Sequence, residues 1–404
     1  MKITDGGVCA PAGFKAAGIH CGMRKNTEKK DLALIVSENL AAAAAVYTTN
    51  LVKGAPIEVT RRNISDGYAQ AVICNSGNAN TCNADGIQKA EAMCSLVEKH
   101  TGIKSSDVIV ASTGVIGAAF DITPIEKGMD ELVSSLSYDS DAAVSAIMTT
   151  DTVQKQIAVE FEIDGITCRM GAAAKGSGMI NPNMATMLAF ITTDAAVAPH
   201  IAAELLAEDA ADTFNMLSVD GDTSTNDMAA FLANGKAGNK IIDTKDSRYE
   251  TLKEAYHFIT VYLCRALAAD GEGATKLLTA EVVNASDKQT ARTAAKAVIS
   301  SNLVKAAMFG EDANWGRILC AVGYSGADVD TGKIDVCFRS EKGTLEVCRN
   351  GMGTGFDEAF AKEVLSSSEI DIIVDLGCPQ GIGAAAWGCD LTYDYVKING
   401  DYRS

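Results

Sequence analysis

The chain has 404 residues, of which 47% are hydrophobic and 22% charged, a composition that is ordinary for a folded globular protein. Its formal net charge of −17 argues against partners that require a basic surface, namely nucleic acids and anionic membranes. Its apolar stretches are too short to span a bilayer and its first residues lack a signal-peptide pattern, so we expect a cytoplasmic protein.

The first half of the chain alternates patterns that are typical of strands and helices. In chain order, the pattern predicts a strand at 67–74, a polar loop at 75–80, a helix from 83–85 to 100, a strand at 108–110, a loop at 112–114, helices at 125–136 and 141–148, and an edge or half-buried strand at 157–163. Gly102 is the predicted stop signal of the first of these helices.

The second half continues the alternation. In chain order, the pattern predicts a strand at 187–191, helices at 199–215 and 247–270, a strand at 275–283, a helix at 288–300, and strands at 333–337, 343–347, 370–375 and 391–396. The segment 218–227 lacks the glutamate that ends a calcium loop, so we interpret it as a turn that lines a site. The whole pattern predicts a mixed α/β fold with layered sheets flanked by helices.

The segment 175–188, with the sequence KGSGMINPNMATML, is the most informative part of the chain. Its glycines, Gly176 and Gly178, permit backbone angles that other residues avoid, and its Asn-Pro-Asn sequence marks a turn. The apolar run that follows Thr186 predicts a buried strand. Thr186 is therefore expected where a bent loop enters a core strand. On the composition of the loop alone, an ordinary glycine-rich loop before a strand, with Thr186 a strand residue, is the more frequent case.

A bent loop can press a threonine hydroxyl against the carbonyl of the preceding residue. We therefore expect the Thr186 hydroxyl to attack the Ala185 carbonyl, so that the peptide becomes an ester that water cleaves. The new chain would begin at Thr186, whose own α-amine titrates near neutral pH and can serve as the base for its hydroxyl.

Four more segments accompany this motif in order: ASTGVIG at 111–117, MTTDT at 148–152, DGEGATK at 270–276 and INGDYRS at 398–404. The set resembles the ornithine acetyltransferase family, also called the bifunctional glutamate N-acetyltransferases of arginine biosynthesis. The resemblance extends from Ala111 to the last residue, and several long motifs in a fixed order are more specific than one short pattern.

The resemblance implies a self-processing enzyme of the N-terminal-nucleophile type. It would be cut between Ala185 and Thr186 into an alpha segment, 1–185, and a beta segment, 186–404, which fold together rather than as separate domains. The resemblance assigns the oxyanion hole to Thr113 and Gly114, and substrate contacts to Thr152, Lys175, Thr186, Glu272, Asn399 and Ser404.

The implied reaction passes an acetyl group from N-acetylornithine to Thr186 and then to glutamate, with ping-pong kinetics. Acetyl-CoA is a further candidate donor that the sequence leaves open. No cofactor is expected, and the absence of any Cys-x-x-Cys pair predicts no metal site. The resemblance also implies a homo-oligomer of cleaved protomers, with two alpha and two beta chains.

Two other functions stay open at this point. A self-processed aminopeptidase or amidohydrolase of similar fold would use the same nucleophile and oxyanion hole, with water in place of glutamate. A non-catalytic amino-acid-binding protein would keep the Ala185–Thr186 bond intact.

Overall fold

The computed structural model describes residues 1–181 and 187–400. Ala185, Thr186 and Ser404 therefore lie outside the described residues, and the predictions that concern them stay predictions.

The described residues contain sixteen strands and eleven α-helices. The strands are β1 Lys2–Thr4, β2 Phe14–Ile19, β3 Leu32–Tyr47, β4 Tyr68–Asn78, β5 Val108–Val115, β6 Lys155–Ile163, β7 Ile166–Lys175, β8 Leu188–Thr193, β9 Leu217–Ser218, β10 Met228–Ala233, β11 Leu277–Ala285, β12 Asp335–Ser340, β13 Gly343–Arg349, β14 Met352–Gly353, β15 Glu369–Asp375 and β16 Ile382–Cys389. The helices are α1 Ala55–Asn63, α2 Gly86–Thr101, α3 Thr123–Ser134, α4 Asp141–Ile147, α5 Pro199–Asp212, α6 Ser247–Ala269, α7 Lys288–Ser300, α8 Asn302–Phe309, α9 Trp315–Tyr324, α10 Glu358–Leu365 and α11 Tyr393–Gly400.

These elements form two compact units. Among the described residues, the first unit comprises 1–176, 187–210 and 223–263, and the second comprises 177–181, 211–222 and 264–400. Each unit has its own sheet.

The sheet of the first unit has the strand order β1-β6-β7-β8-β10-β3-β4-β5, with β2 paired to β3. Its central strands come from both sides of the Ala185–Thr186 bond: β8 and β10 follow that bond in sequence, and they pair with β7 and β3, which precede it. The strands β8 and β10 run parallel to each other, as do β4 and β5.

Both faces of this sheet are covered. Leu32 and Leu34 of β3 pack in one apolar cluster, with residues of α2 and α3, and the alternate residues Ala33 and Ile35 pack in another, with residues of α4. Successive residues of a strand point to opposite faces, so a strand that is buried on both faces reads as a continuous apolar run.

The sheet of the second unit has the order β14-β13-β12-β15-β11-β16-β9. Its central strand β11 pairs in parallel with β15 and antiparallel with β16. The helix α7 packs on this sheet, and Asp287 caps its first turn by accepting a hydrogen bond from the backbone N–H of Thr290 over 2.9 Å.

The mixed α/β class with layered sheets and helices is confirmed. The helix predicted at 288–300 has those bounds, the long helix predicted at 247–270 is α6, and α2 ends at Gly102, which has the positive φ of 79° that favours glycine. All twelve cysteines are free thiols, and no helix among the described residues is long and apolar enough to cross a membrane.

Three local predictions are wrong. The polar segments 75–80 and 112–114 are largely strand, because β4 and β5 continue in parallel as far as Asn78 and Val115. The Ser112 hydroxyl donates to the Asn75 side chain over 2.6 Å, which satisfies two polar groups inside the sheet. The segment 157–163, predicted as an edge or half-buried strand, is a strand, and it is not at an edge because β6 lies between β1 and β7.

The third wrong prediction concerns the end of the chain, where the strand predicted at 391–396 is absent and helix α11 begins at Tyr393. The last strand in the sequence is instead β16, whose sequence IGAAAWGC has one β-branched residue, Ile382, and consists mostly of small residues. The three N-terminal strands had no prediction at all.

Candidate active site

Thr113 and Gly114 lie near the C-terminal end of β5, beside Ser76 and Gly77 of β4. Gly114 has a φ of 129°, and a Cβ atom added there would be 2.4 Å from the backbone carbon of Gly77. Only glycine allows this approach of two backbones. The strand end therefore presents the Thr113 hydroxyl and the Gly114 backbone at a fixed position.

Lys175, the last residue of β7, brings a positive charge to Thr113. Its ammonium group donates to the Thr113 Oγ1 atom over 3.2 Å, although the lysine side chain is almost completely buried. Burial lowers the pKa of Lys175, and the carboxylates of Asp151 and Asp227 oppose that shift. A lone lysine beside a glycine loop is more often solvated, so the structure favours a functional interpretation of this one.

The Asp151 carboxylate is the main hydrogen-bond acceptor in the surroundings of Lys175. Its carboxylate accepts hydrogen bonds from the backbone N–H groups of Thr149 and Gly176, over 2.8 and 2.6 Å, and from the Lys155 ammonium over 2.7 Å. Burial opposes the ionisation of Asp151, but the charges of Lys175 and Lys155 and these hydrogen bonds outweigh it and hold the pKa of Asp151 well below its ordinary value.

Thr152 follows Asp151 directly and is exposed. The bonds of Asp151 to Thr149 and Gly176 tie its own loop to the end of β7, next to Lys175. The first unit thus brings four predicted residues to one end of its sheet: Thr113, Gly114, Lys175 and, through Asp151, Thr152.

The second unit brings Glu272 and Asn399 together. The Asn399 side-chain amide donates to the Glu272 carboxylate over 2.7 Å, and Glu272 is 7% exposed. The Glu272 backbone N–H donates to the Ser177 carbonyl over 2.8 Å, which fixes the glutamate against the glycine-rich segment. Glu272 has no cationic partner among the described residues.

The two glycines of the 175–188 motif serve different purposes. Gly176 has a φ of 150°, as the sequence predicts. Gly178 does not have a positive φ; a Cβ atom added there would be 2.3 Å from the Glu272 Oε2 atom. The prediction that Gly178 provides backbone freedom is therefore wrong, and its lack of a side chain makes room for Glu272.

The turn predicted at 218–227 contacts the motif through Asp220. Its carboxylate accepts hydrogen bonds from the backbone N–H groups of Met179 and Ile180, over 2.6 and 2.9 Å, and from the Tyr395 hydroxyl over 3.2 Å. Met179 has a positive φ of 53°, which is uncommon for this residue type, and Asp220 stabilises it there. Burial, together with the charge of Asp220, raises the pKa of Tyr395.

Sequence reasoning missed the supporting carboxylates Asp151, Asp220 and Asp227. Asp151 belongs to the motif at 148–152, in which only a threonine, Thr152, was predicted to have a role. Asp220 and Asp227 belong to the turn at 218–227, in which no single residue was given a role. Among the described residues, no three His, Cys, Asp or Glu side chains are grouped as metal ligands. The segment 310–317 contains the start of α9, and no role follows from it.

Known proteins resemble this chain over its length. The family model described as the ArgJ family matches residues 15–404. The arginine biosynthesis bifunctional protein ArgJ 1 of Clostridium acetobutylicum is 50% identical, with 97% of this chain and 96% of that protein covered. The arginine biosynthesis bifunctional protein ArgJ of Caldanaerobacter subterraneus subsp. tengcongensis is 49% identical, with both chains covered completely.

A solved structure is also similar. The crystal structure of arginine biosynthesis bifunctional protein ArgJ from Bacillus halodurans is 41% identical with a TM-score of 0.51, and the match covers 54% of this chain and 100% of that chain.

Proposed function

The chain belongs to the ArgJ family, and we propose that it transfers an acetyl group from N-acetylornithine to glutamate through an acetyl-threonine intermediate. It is an acetyltransferase of arginine biosynthesis, and we place it in the cytoplasm. The observation that carries the proposal is the Lys175–Thr113 hydrogen bond at the end of β5, where the predicted oxyanion residues meet a buried cation.

The reaction has two half-reactions. The Thr186 hydroxyl attacks the acetyl carbonyl of N-acetylornithine, with the Thr186 α-amine as its base, and ornithine leaves. The α-amine of glutamate then attacks the acetyl ester, and N-acetylglutamate leaves. Thr186 becomes N-terminal by cleavage of the Ala185–Thr186 bond.

Each half-reaction forms a tetrahedral oxyanion, which preorganised donors stabilise. An ammonium group has only donors, so the Thr113 oxygen must be the acceptor in its bond to Lys175. The Thr113 hydroxyl proton is therefore available for the oxyanion. The nearby positive charge of Lys175 makes that hydroxyl a stronger donor, and the Gly114 backbone N–H is the second proposed donor.

The acidic residue Glu272 suits the positively charged amino group of ornithine, because its carboxylate is buried and is oriented by Asn399. We assign further substrate contacts to Thr152, Lys175 and Ser404. Because Lys175 is positively charged and buried, a substrate carboxylate is the natural partner for it.

The length of the solved relative supports self-cleavage. Residues 186–404 number 404 − 185 = 219, which is 54% of this chain. The Bacillus halodurans chain is matched along its whole length by that same share of this chain. A chain that begins at the nucleophile would have this length.

Strands from the two segments alternate within one sheet, and this arrangement bears on whether the segments separate after cleavage. Because β8 and β10 pair with β7 and β3, we propose that the segments 1–185 and 186–404 stay associated after the cut. We further propose an assembly with two copies of each segment. The mechanism requires no cofactor, since the threonine ester carries the acetyl group, and acetyl-CoA is proposed as a second donor into the same ester.

Steady-state kinetics test the proposal. The purified protein is incubated with N-acetylornithine and glutamate, both varied, and ornithine and N-acetylglutamate are measured together. We expect equal amounts of the two products and the parallel double-reciprocal lines of a ping-pong mechanism. Ornithine with acetate instead of N-acetylglutamate would identify a hydrolase, and no turnover with an intact chain would identify a binding protein. The same assay with acetyl-CoA in place of N-acetylornithine tests the second donor.

A further inference from the structure

The two amino acids of the proposed reaction differ in charge. N-acetylornithine has one carboxylate and a positively charged side-chain amino group, whereas the acceptor glutamate has two carboxylates. Glu272 suits the amino group of ornithine, but its negative charge would repel the side-chain carboxylate of glutamate. Lys175 can neutralise one carboxylate of either substrate. The second carboxylate of glutamate therefore requires a further cation, in a protein whose formal net charge is −17.

Arg24 supplies a positive charge at the same end of the first sheet. It lies between β2 and β3 and is half-buried. Its guanidinium group donates a hydrogen bond to the carbonyl group of Met148, the first residue of the segment 148–152. A carbonyl group is a neutral acceptor, and an arginine side chain stays protonated in proteins. The guanidinium group therefore keeps its full charge beside this segment.

A buried carboxylate fixes the backbone of Arg24. Asp31 is 0% exposed, and its side chain accepts hydrogen bonds from three backbone N–H groups. The donors are Cys21, Gly22 and Arg24, over 2.6, 3.2 and 3.0 Å. Because Asp31 directly precedes Leu32, the first residue of β3, these bonds tie the segment to the sheet. Arg24 is therefore held in position before any substrate binds.

The aliphatic part of Arg24 packs on the strand next to the oxyanion residues. A Cβ atom added at Gly77 would be 2.9 Å from the Arg24 Cγ atom, so a side chain at this position would displace the arginine. Gly77 of β4 and Gly114 of β5 are partners in parallel register. Since neighbouring strands are about 4.8 Å apart, the Arg24 Cγ atom lies within about 10 Å of the Gly114 Cα atom.

The peptide group that the arginine binds is also part of the surroundings of Lys175. The Met148 carbonyl and the Thr149 N–H belong to one peptide bond, and this N–H donates to the Asp151 carboxylate over 2.8 Å. The same carboxylate accepts from the N–H of Gly176, the residue after Lys175, over 2.6 Å. One peptide group and one carboxylate thus connect the guanidinium group to the end of β7.

The charges of Arg24 and Lys175 act on the same part of the sheet. Cys74 of β4 is 1% exposed, and burial raises the pKa of its thiol. The positive charges of Lys175 and Arg24 both oppose this shift, because each favours the thiolate. The two cations therefore flank the end of the sheet that presents Thr113 and Gly114. An anion bound at this end would interact with both.

Glutamate has a suitable length for such a site. In the second half-reaction its α-amine attacks an acetyl group whose oxygen is bound at Thr113 and Gly114. From that nitrogen to the side-chain carboxylate oxygens, extended glutamate spans about 6 Å, because each bond is about 1.5 Å long. The arginine side chain extends about 5 Å beyond its Cγ atom by the same reasoning. These lengths match the separation of Arg24 from Gly114.

We propose that Arg24 binds the side-chain carboxylate of the acceptor glutamate and thereby determines the specificity of the second half-reaction, an inference that rests on the acetyl transfer in the proposed function. A planar guanidinium group can pair with a carboxylate through two parallel N–H···O bonds, which an ammonium group does not provide. Lys175 binds the α-carboxylate, which glutamate and N-acetylornithine share. Arg24 thus distinguishes the acceptor from the donor.

The test compares two acceptors. In ping-pong kinetics, kcat/KM for the acceptor reports the second half-reaction alone, so it is measured for glutamate and for glutamine, whose side chain has nearly the same shape and no charge. We expect the natural protein to prefer glutamate. In Arg24→Gln the ratio of the two kcat/KM values should fall by about tenfold or more, the typical effect of losing a hydrogen bond to a charged group. Arg24→Lys, which keeps the charge but not the planar group, should keep part of the preference.

Lys25→Gln is the matched control. Lys25 is the next residue in sequence and is exposed, so this variant removes the same charge without removing the contacts of Arg24. It should keep the natural ratio of kcat/KM for glutamate to that for glutamine. The kcat/KM for N-acetylornithine, measured for every variant, shows whether a loss is confined to the acceptor.

Several outcomes would overturn the inference. An unchanged ratio in Arg24→Gln would do so, as would an equal loss of kcat/KM with glutamate, glutamine and N-acetylornithine, which would indicate that the arginine only supports the fold. A natural protein that accepts glutamine as readily as glutamate would also overturn it, and this result is available even if the variant does not fold. A natural protein that takes no acetyl group from N-acetylornithine would instead remove the proposed function itself.

Discussion

Lys175 donates a hydrogen bond to the Thr113 hydroxyl oxygen over 3.2 Å, from a side chain that is only 8% exposed. The two residues are 62 positions apart in sequence and lie on different strands of one sheet. A cation in this place polarises the threonine hydroxyl and leaves its proton free to point at a developing negative charge. The oxyanion role proposed for Thr113 depends on this pair.

Replacement of Thr113 by alanine removes one oxyanion donor. We expect kcat for acetyl transfer to fall by about 100- to 1,000-fold, because the loss of one such donor typically has that effect. Thr113→Ser keeps the hydroxyl and should retain most of the activity. Initial rates of N-acetylglutamate formation measure both variants, and an alanine variant with the natural kcat would contradict the assignment.

Gly178→Ala places a methyl group against Glu272. The added carbon would be 2.3 Å from the Glu272 Oε2 atom, so the carboxylate must move. We expect a higher KM for N-acetylornithine. Gly323→Ala, on helix α9, is the matched control, because a Cβ atom there meets nothing within 4 Å and the site has no positive φ. Equal KM values for the two variants would argue against a tight fit between Gly178 and Glu272.

Glu272→Gln keeps the shape of the side chain and its bond to Asn399 but removes the negative charge. If the carboxylate holds an amino group of ornithine, the KM for N-acetylornithine should rise about tenfold or more, since a hydrogen bond to a charged group contributes about 1.5 to 3 kcal/mol. Product inhibition by ornithine should also become weaker, because the same contact is lost. Unchanged inhibition by ornithine would place its amino group elsewhere.

Asp151→Asn should destabilise the protein. The substitution leaves the ammonium of Lys155, which is 1% exposed, without its buried carboxylate, and breaking such a pair costs about 3 to 5 kcal/mol. Unfolding in urea at pH 7, followed by fluorescence, measures the loss. Asp141→Asn, on the exposed start of α4, is a control that should lose far less.

The lowered pKa of Asp151 also implies that the free energy of unfolding depends on pH. The pKa of Asp151 is lower in the folded chain than in the unfolded chain, so its ionised form stabilises the fold above the unfolded value, about 3.9. That contribution should disappear as the pH falls below this value. Free energies of unfolding measured from pH 6 to pH 3 should fall more steeply for the natural protein than for Asp151→Asn, and identical slopes would contradict the shifted pKa.

Strong local signals account for the parts of the fold that were predictable from sequence. The helix at 288–300 has a capping aspartate at its start, and α2 has its glycine stop, so both were located closely. The strand β16 was missed because its small residues carry no strand preference, and its pairing with β11 comes from contacts distant in sequence. Helix α11 was mistaken for a strand because its eight residues show no helical periodicity.

The candidate site was also predictable from the sequence only in part. Thr113, Lys175 and Glu272 were found because each lies in a long motif, but the motifs gave no sign that Lys175 is buried or that Gly178 makes room for Glu272. Asp151 acts in part through Gly176 and Lys175, which are remote from it in sequence. The role of such a single residue can be recognised only in the folded structure, where the strands that carry it and its partners are neighbours.

The central claim is that Thr186 becomes an N-terminal nucleophile that carries the acetyl group. The most direct test is the intact mass of the purified protein before and after addition of N-acetylornithine without glutamate. We expect two fragments that meet at Ala185 and Thr186, with one acetyl group gained on the fragment that begins at Thr186 and lost again when glutamate is added. A single uncut chain without an added acetyl group would contradict it.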